Sequence, residues 1–333
     1  MFSINGSKIE AVFGCTPSQA VDNVEFLAPL FGREKAESIV KSTGFVVRRA
    51  APKGASVCDL ALPAAKAALV GVDPETVGGI VFVTFSGDRR YPSCAQRMQG
   101  ALNLPRSVAA LDVQLACGGY PYGLYVASRL AEDSGKRVLL LDGDVQTAFL
   151  SPSDAATNAV MGDGASATLV APRSKRGSWL LRRELRDLLD EDERWNFAFL
   201  TAGAKGGSLD CPAAGPVAMR GFDVFQFVMG EVASFLRNFV VEARAGAAKF
   251  VPHQANLYMI RQLTAAIGLS ESQLLVSGDR FGNPGSASVA MTLASEAGSP
   301  SGSYLLAGFG AGLSAAAAHV TLDGACRRGI VTC

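Results

Sequence analysis

The chain alternates between short runs that are apolar throughout and longer runs whose apolar positions recur at helical spacing. Gly79-Ile80-Val81-Phe82-Val83-Thr84 is short, apolar and β-branched, the signature of a strand buried on both faces. Ala109 to Ala116 predicts a second such strand, ending at Cys117. From Gly118 to Asp133 the apolar residues Leu124, Ala127, Leu130 and Ala131 share one helical face, and Arg137–Leu141 is strand-like again. Strand, helix, strand is the parallel-sheet unit. Ala165 to Ala171 adds a further strand.

The pattern then breaks. Arg173–Ser178 is polar and basic, a linker by composition; the charged stretch Arg182–Arg194 and the irregular segment Thr201–Pro216 read as a lobe or lid-like excursion. Beyond it, Phe222–Arg244 predicts a long amphipathic helix, Ala248–Val251 a strand, Asn256–Ile267 a helix, and Ser303–Ala307 a strand followed by a glycine turn. Both halves place a reactive-looking residue where a strand runs into a helix. A division into residues 1–172 and 173–333 separates the two, and the layout suggests duplication.

Composition narrows the class. With 333 residues, 49% of them hydrophobic and 18% charged, the chain is globular, one large domain or two. Its 31 basic and 30 acidic residues nearly cancel, so no global field draws in nucleic acid or an anionic membrane. The start, MFSINGSKIE, has no basic segment leading into an apolar one, and no apolar run approaches the roughly 18 residues of a membrane span. The seven cysteines include no CxxC, so neither a zinc site nor a disulfide scaffold is favoured, no metal is expected, and a reducing cytoplasm is the expected setting.

Cys117 lies in ACGGYPYGL between a strand and a helix. A helix start carries about half a positive charge and unpaired N–H groups, which favour thiolate. Gly118 and Gly119 permit a sharp turn, and Pro121 falls in the first turn, where a missing N–H costs least. Most cysteines are small buried hydrophobes; Cys15, Cys58, Cys94 and Cys211 read that way, and Cys326 and Cys333 as tail residues. Of two histidines, His319 sits in a strand-like run without polar neighbours, whereas His253, in VPHQAN, is flanked by Gln254 and Asn256 at a helix start. FGNPGSAS places Asn283 before an apolar helix, and GFGAG (Gly308–Gly312) follows the last strand. Its G-x-G-x-G spacing is no dinucleotide fingerprint; it can present backbone N–H groups to an oxyanion. Ser38-Ile39-Val40-Lys41 matches SxxK by chance, since no companion motif exists.

In order and context, the cysteine turn, HQAN, GNxxSAS and the glycine turn resemble 3-oxoacyl-acyl-carrier-protein synthase III, over essentially the whole chain. The resemblance implies the thiolase-like α/β fold, with two similar halves forming a five-layered α-β-α-β-α core, usually as a homodimer. It implies Cys117 as acyl-accepting nucleophile, with His253 and Asn283 polarising a malonyl thioester during decarboxylation. The oxyanion hole would be the backbone N–H groups of Cys117 and Ala311. Tyr91, Met219, Gly221 and Asn256 correspond to substrate-binding positions, Tyr91 being the one that reaches a partner copy's acyl pocket. Substrates would be coenzyme A or acyl-carrier-protein thioesters, with no bound cofactor.

The sequence departs from that family at the entrance. The aromatic and arginine that sandwich adenine fall on Ser38 and Ser42, another nucleotide-binding arginine falls on Ala155, and a carrier-docking arginine falls on Tyr258. Loss of cation–aromatic stacking, about 0.5–2 kcal/mol, should weaken or relocate coenzyme A recognition. Three readings stand: decarboxylative condensation; acyl transfer to oxygen or nitrogen with His253 as general base; and a non-catalytic partner subunit, against which the intact Cys117, His253 and Asn283 argue.

Overall fold

A computed structural model describes residues 1–151, 153–173, 194–202, 209–210 and 216–333. The expected linker after Arg173, most of the charged stretch and most of the excursion, with Cys211, lie outside the described residues.

Two mixed sheets carry the structure. The first runs β15-β2-β8-β7-β5-β6, from β2 (Ser7–Thr16), β5 (Val77–Val83), β6 (Ala109–Val113), β7 (Arg137–Asp144), β8 (Gly164–Pro172) and β15 (Arg327–Thr332). The second runs β1-β9-β14-β13-β12, from β1 (Phe2–Ile4), β9 (Trp195–Thr201), β12 (Lys249–Pro252), β13 (Gly302–Gly310) and β14 (Ser314–Leu322). Short hairpin-like pairs β3 (Ala20–Asp22) with β4 (Val47–Arg49), and β10 (Leu209–Asp210) with β11 (Ala218–Met219), lie outside them.

Strand alternation sorts the core into layers. In β7, Val138 and Leu140 face one cluster while Leu139 and Leu141 face another. The latter pack under the helix Val57–Ala68, with Leu60, Ala61 and Ala64 against the outer face of the first sheet. Val138 and Leu140 face the middle layer, made by the helices Gly119–Ser134 and Ser288–Ser295. Tyr304, Leu306, Ala318 and Val320 of the second sheet meet the same helices from the other side. Their strand neighbours Leu305, Ala307, Ala315 and Ala317 turn outward to helices over 221–242 and 257–266. Helix, sheet, helix, sheet, helix is the five-layered α/β order expected. Each buried Leu or Phe contributes about 1.5–3 kcal/mol, and each sheet is held on both faces, by the shared middle layer and by its own outer helices.

The stretch Gly221–Glu242 is long and apolar enough to cross a membrane by composition, yet Val224, Phe227, Val228, Val232, Leu236 and Phe239 pack into the outer cluster of the second sheet. It is a core-covering helix broken by one π-helical turn, Val228–Val232.

The ends of the sequence cross over. β1 pairs antiparallel with β9 in the second sheet, and β15 pairs parallel with β2 in the first. A division at residues 172/173, the end of β8, therefore leaves one strand of each half in the other's sheet. Cys326, read as a tail residue, lies 5% exposed in the central cluster. His319 also has a polar partner after all: Ser303 Oγ is 2.6 Å from its Nε2, from the facing strand of the β13–β14 pair.

Candidate active site

Cys117 does not follow directly on a strand. β6 stops at Val113, and Gln114, Leu115 and Ala116 form a connection before the turn at Cys117 and the helix Gly119–Ser134. Side chains are excluded around that turn. A Cβ on Gly119 would lie 2.4 Å from Val83 Cγ1, and one on Gly308 of β13 would lie 2.8 Å from the Cys117 carbonyl oxygen. The bare backbone of β13 thus seats the Cys117–Gly118 peptide against the second sheet.

Backbone N–H groups of Ala311 and of Cys117 itself act on the thiol. Ala311 does not occupy the left-handed region; the positive φ values belong to its neighbours Gly310 (140°) and Gly312 (125°). The two glycines absorb the irregular backbone, so an alanine fits between them. The helix start was expected to favour thiolate. Burial outweighs it: Cys117 is 4% exposed, and burial pushes its thiol up to about 12, with the Asp144 carboxylate adding to the effect and the backbone donors opposing it.

His253 leaves β12 with its backbone N–H donated to the Ala307 carbonyl at 2.7 Å. Since Ala307 precedes Gly308, one short piece of β13 anchors both His253 and the Cys117 turn. The ring meets Phe309 edge-on, with centroids 5.7 Å apart. Nδ1 lies 2.7 Å from Ser288 Oγ, and Nε2 lies 3.3 Å from Asn283 Nδ2. Burial drives the imidazole pKa down to about 3, against the Gly285 backbone, and no carboxylate among the described residues offsets it. This histidine is neutral at any ordinary pH.

Asn283 is fixed from both sides. Its backbone N–H donates to Val160 and its carbonyl accepts from Gly162 and from Gln146 Nε2 at 2.6 Å. Its Oδ1 accepts from the Gly285 N–H, which leaves the amide Nδ2 pointing to His253. The following residue, Ser286, is held by Asp144 at the end of β7: Oδ2 accepts from its N–H at 3.0 Å and its hydroxyl at 2.7 Å. Asp144 Oδ1 accepts from Thr84 Oγ1 (3.0 Å), the Phe85 N–H (3.1 Å) and Ser86 Oγ (3.3 Å). A Cβ on Gly285 would reach 2.5 Å from Asp144, so the loop needs glycine there. Burial pushes Asp144 up to about 6, with the Ser286, Phe85 and Thr84 donors holding it down. Cys117, Ala311, His253 and Asn283 are thereby brought together from both halves of the chain.

The other expected positions sit apart from this cluster. Tyr91 is 85% exposed after β5, Met219 is half-buried on β11 against the outer cluster of the second sheet, and Gly221 is exposed at a helix start. Asn256 caps the helix Leu257–Ala266, its Oδ1 accepting from the Met259 N–H at 2.8 Å, and lines a small cleft with Thr43, Gly44, Gln254 and Leu257. Ser38 and Ser42 are exposed on the helix Arg33–Thr43 beside that cleft, and Tyr258 stacks on Phe225 with centroids 6.2 Å apart. Sequence reasoning missed Ser288, Asp144 and Gln146. Ser288 closes the quoted motif FGNPGSAS, so its spacing was a usable signal; Asp144 and Gln146 offered none.

The family model described as 3-oxoacyl-[acyl-carrier-protein (ACP)] synthase III matches residues 111–187, and that of its C-terminal part matches residues 246–322. A beta-ketoacyl-[acyl-carrier-protein] synthase III of Bradyrhizobium sp. is 30% identical over 292 residues, covering 85% of this chain and 88% of the relative. An acetoacetyl CoA synthase of Streptomyces sp. is 31% identical over 324 residues, covering 91% and 95%. Among solved structures, a 3-oxoacyl-(acyl-carrier protein) synthase from Burkholderia xenovorans superimposes with a TM-score of 0.88 at 25% identity, covering 100% of this chain and 98% of the other. A priming beta-ketosynthase of a polyketide biosynthetic pathway gives 0.82 at 27% identity, covering 96% and 97%.

Proposed function

Because the chain belongs to the 3-oxoacyl-[acyl-carrier-protein] synthase III family, we propose that it condenses a Cys117-bound acyl group with a malonyl thioester. In the first step the Cys117 sulfur attacks an acyl thioester, and the thiol proton leaves with the departing thiol. The developing oxyanion is received by the N–H groups of Cys117 and Ala311. In the second step a malonyl thioester loses carbon dioxide. The resulting enolate oxygen is held by His253 Nε2–H and Asn283 Nδ2–H, and its carbon attacks the acyl group, expelling the Cys117 thiolate, which takes up from solvent the one proton that the step consumes.

One observation carries this reading: His253 and Asn283 form a buried pair, 3.3 Å apart, and the imidazole is held neutral. Two neutral N–H donors suit an enolate that forms and vanishes without net proton transfer to the protein. A histidine with a pKa near 3 is a poor general base, which weighs against acyl transfer to an oxygen or nitrogen acceptor. For Nε2 to carry the proton, Nδ1 must accept one from Ser288 Oγ, which makes Ser288 a positioning residue for the tautomer.

Donor recognition is the part we read as altered. Ser38, Ser42, Ala155 and Tyr258 replace the adenine and carrier-docking positions, so the acyl and malonyl groups arrive on a carrier held differently, with coenzyme A as one such carrier, as the name of the Streptomyces relative suggests. Tyr91, exposed in the single chain, is available to a second copy, and we place the enzyme in the cytoplasm as a homodimer. Intact-protein mass spectrometry with a panel of acyl-coenzyme A and acyl-carrier thioesters tests the reading. A Cys117 adduct that turns over with malonyl thioester and is absent in Cys117→Ala supports it. An adduct discharged to water or an alcohol without release of carbon dioxide overturns condensation.

A further inference from the structure

Cys15 and Cys333, which the site described above does not include, bring their sulfurs together. Cys15, near the end of β2, and Cys333, just past β15, come from strands paired in parallel, with Val331 opposite Cys15 and Thr332 opposite Thr16. Their sulfurs are 2.9 Å apart, with the Cys15 thiol donating to Cys333. The backbone fixes that approach: Cys333 N–H donates to the Thr16 carbonyl at 3.1 Å, and the Ser18 N–H donates to the Cys333 carbonyl at 2.8 Å. A disulfide needs about 2.05 Å between sulfurs, so less than about 1 Å remains to be closed. Cys15 is buried and Cys333 exposed, so an oxidant in solvent meets one sulfur while the other waits behind it.

We propose that Cys15 and Cys333 form a modification site, an accessible dithiol that low-molecular-weight disulfides convert reversibly into an intramolecular disulfide joining β2 to β15. In the first step the Cys333 thiolate attacks a sulfur of the small disulfide and expels one small thiolate, which takes up a proton. In the second step the Cys15 sulfur attacks the Cys333 sulfur and its proton passes to the departing small thiolate, which leaves as the second small thiol. The protein loses two protons and two electrons, and one small disulfide becomes two thiols. Hydrogen bonding from Cys15 holds the Cys333 thiol below its ordinary value and raises Cys15, the asymmetry of an attacking and a resolving thiol. Cys58 and Cys94 supply the contrast. They too interact through their side chains, but both are buried, at 7% and 2% exposure, so no solvent-borne oxidant reaches either.

Glutathione disulfide is the probe, applied to the full chain and read by intact mass and peptide mapping. The expected result is a loss of about 2 Da, a Cys15–Cys333 cross-link, and reversal by dithiothreitol. Cys15→Ser should halt at a glutathione adduct on Cys333, and Cys333→Ser should show neither product. A maleimide should label Cys333 at least about tenfold faster than Cys58. A wild-type protein that keeps the glutathione adduct without cross-linking, or that oxidises at Cys58 and Cys94 first, overturns the proposal. The readout is the covalent state of these sulfurs, so failure of the condensation reading leaves it untouched.

Discussion

The two corners of the site hold their hydrogen-bond donors by different means. At the Cys117 corner the donors are peptide N–H groups, set by a turn against the bare backbone of Gly308 and a loop in which Gly310 and Gly312 absorb the positive φ. At the His253 corner the donors are side chains: Ser288 is bonded to the imidazole, the Gly285 N–H holds the Asn283 amide, and Asp144 and Gln146 brace the loop around it. A backbone site is indifferent to the residue that carries it provided the turn survives. A side-chain site depends on the residue and on every partner behind it. A change of side chain at Ala311 is one that only the first corner would tolerate.

That contrast breaks or holds under substitution. The largest effect is expected at the side-chain corner: His253→Ala or Asn283→Ala should lower condensation about 10²–10³-fold while leaving acylation of Cys117 within a few-fold, measured by single-turnover mass spectrometry. If acylation falls in parallel, the two corners are not separate. Next is pH. His253 has a folded pKa of about 3 against about 6.5 when unfolded, so the unfolded chain binds more protons between those values and stability falls as pH drops through that window. Near pH 5 the loss from this group is about 2 kcal/mol, and urea unfolding of His253→Gln should show correspondingly less acid sensitivity.

Smaller again is Ser288→Ala, which frees the imidazole tautomer. About a tenfold fall in kcat for condensation is expected, with little change in KM and recovery in Ser288→Thr. Loss of KM alone would make Ser288 a packing residue. Smallest is Ala311→Gly, expected to leave the acylation rate within about threefold, because the donor is the peptide and not the side chain. A tenfold change would show that the loop at Gly310–Gly312 needs the alanine.

The same distinction explains what could be read from the sequence. Cys117, His253, Asn283 and the glycine turn were legible because each sits in a local motif of glycines and turn residues that a short window contains. The strands of both sheets were legible from their apolar runs, although β6 was read through to Ala116 because Leu115 and Ala116 continue its apolar character without its pairing. Asp144 was not legible. A lone carboxylate after a strand looks like any other, and its role comes from Ser286, which is 142 residues away. Nor was the His319–Ser303 contact, which depends on the register of β13 and β14. The crossing of β1 and β15 escaped for the same reason: short edge strands have too few residues to advertise their partner.

That crossing has a consequence for how the chain is made. β2 is made well before β15, its neighbour in the first sheet, and all the strands of the second sheet except β1 lie between them in sequence. Until then β2 presents an open edge, and Phe13 and Gly14 lack the cover they later receive from Gly329 and Ile330. The first sheet therefore stays open at that edge until every strand of the second has been made.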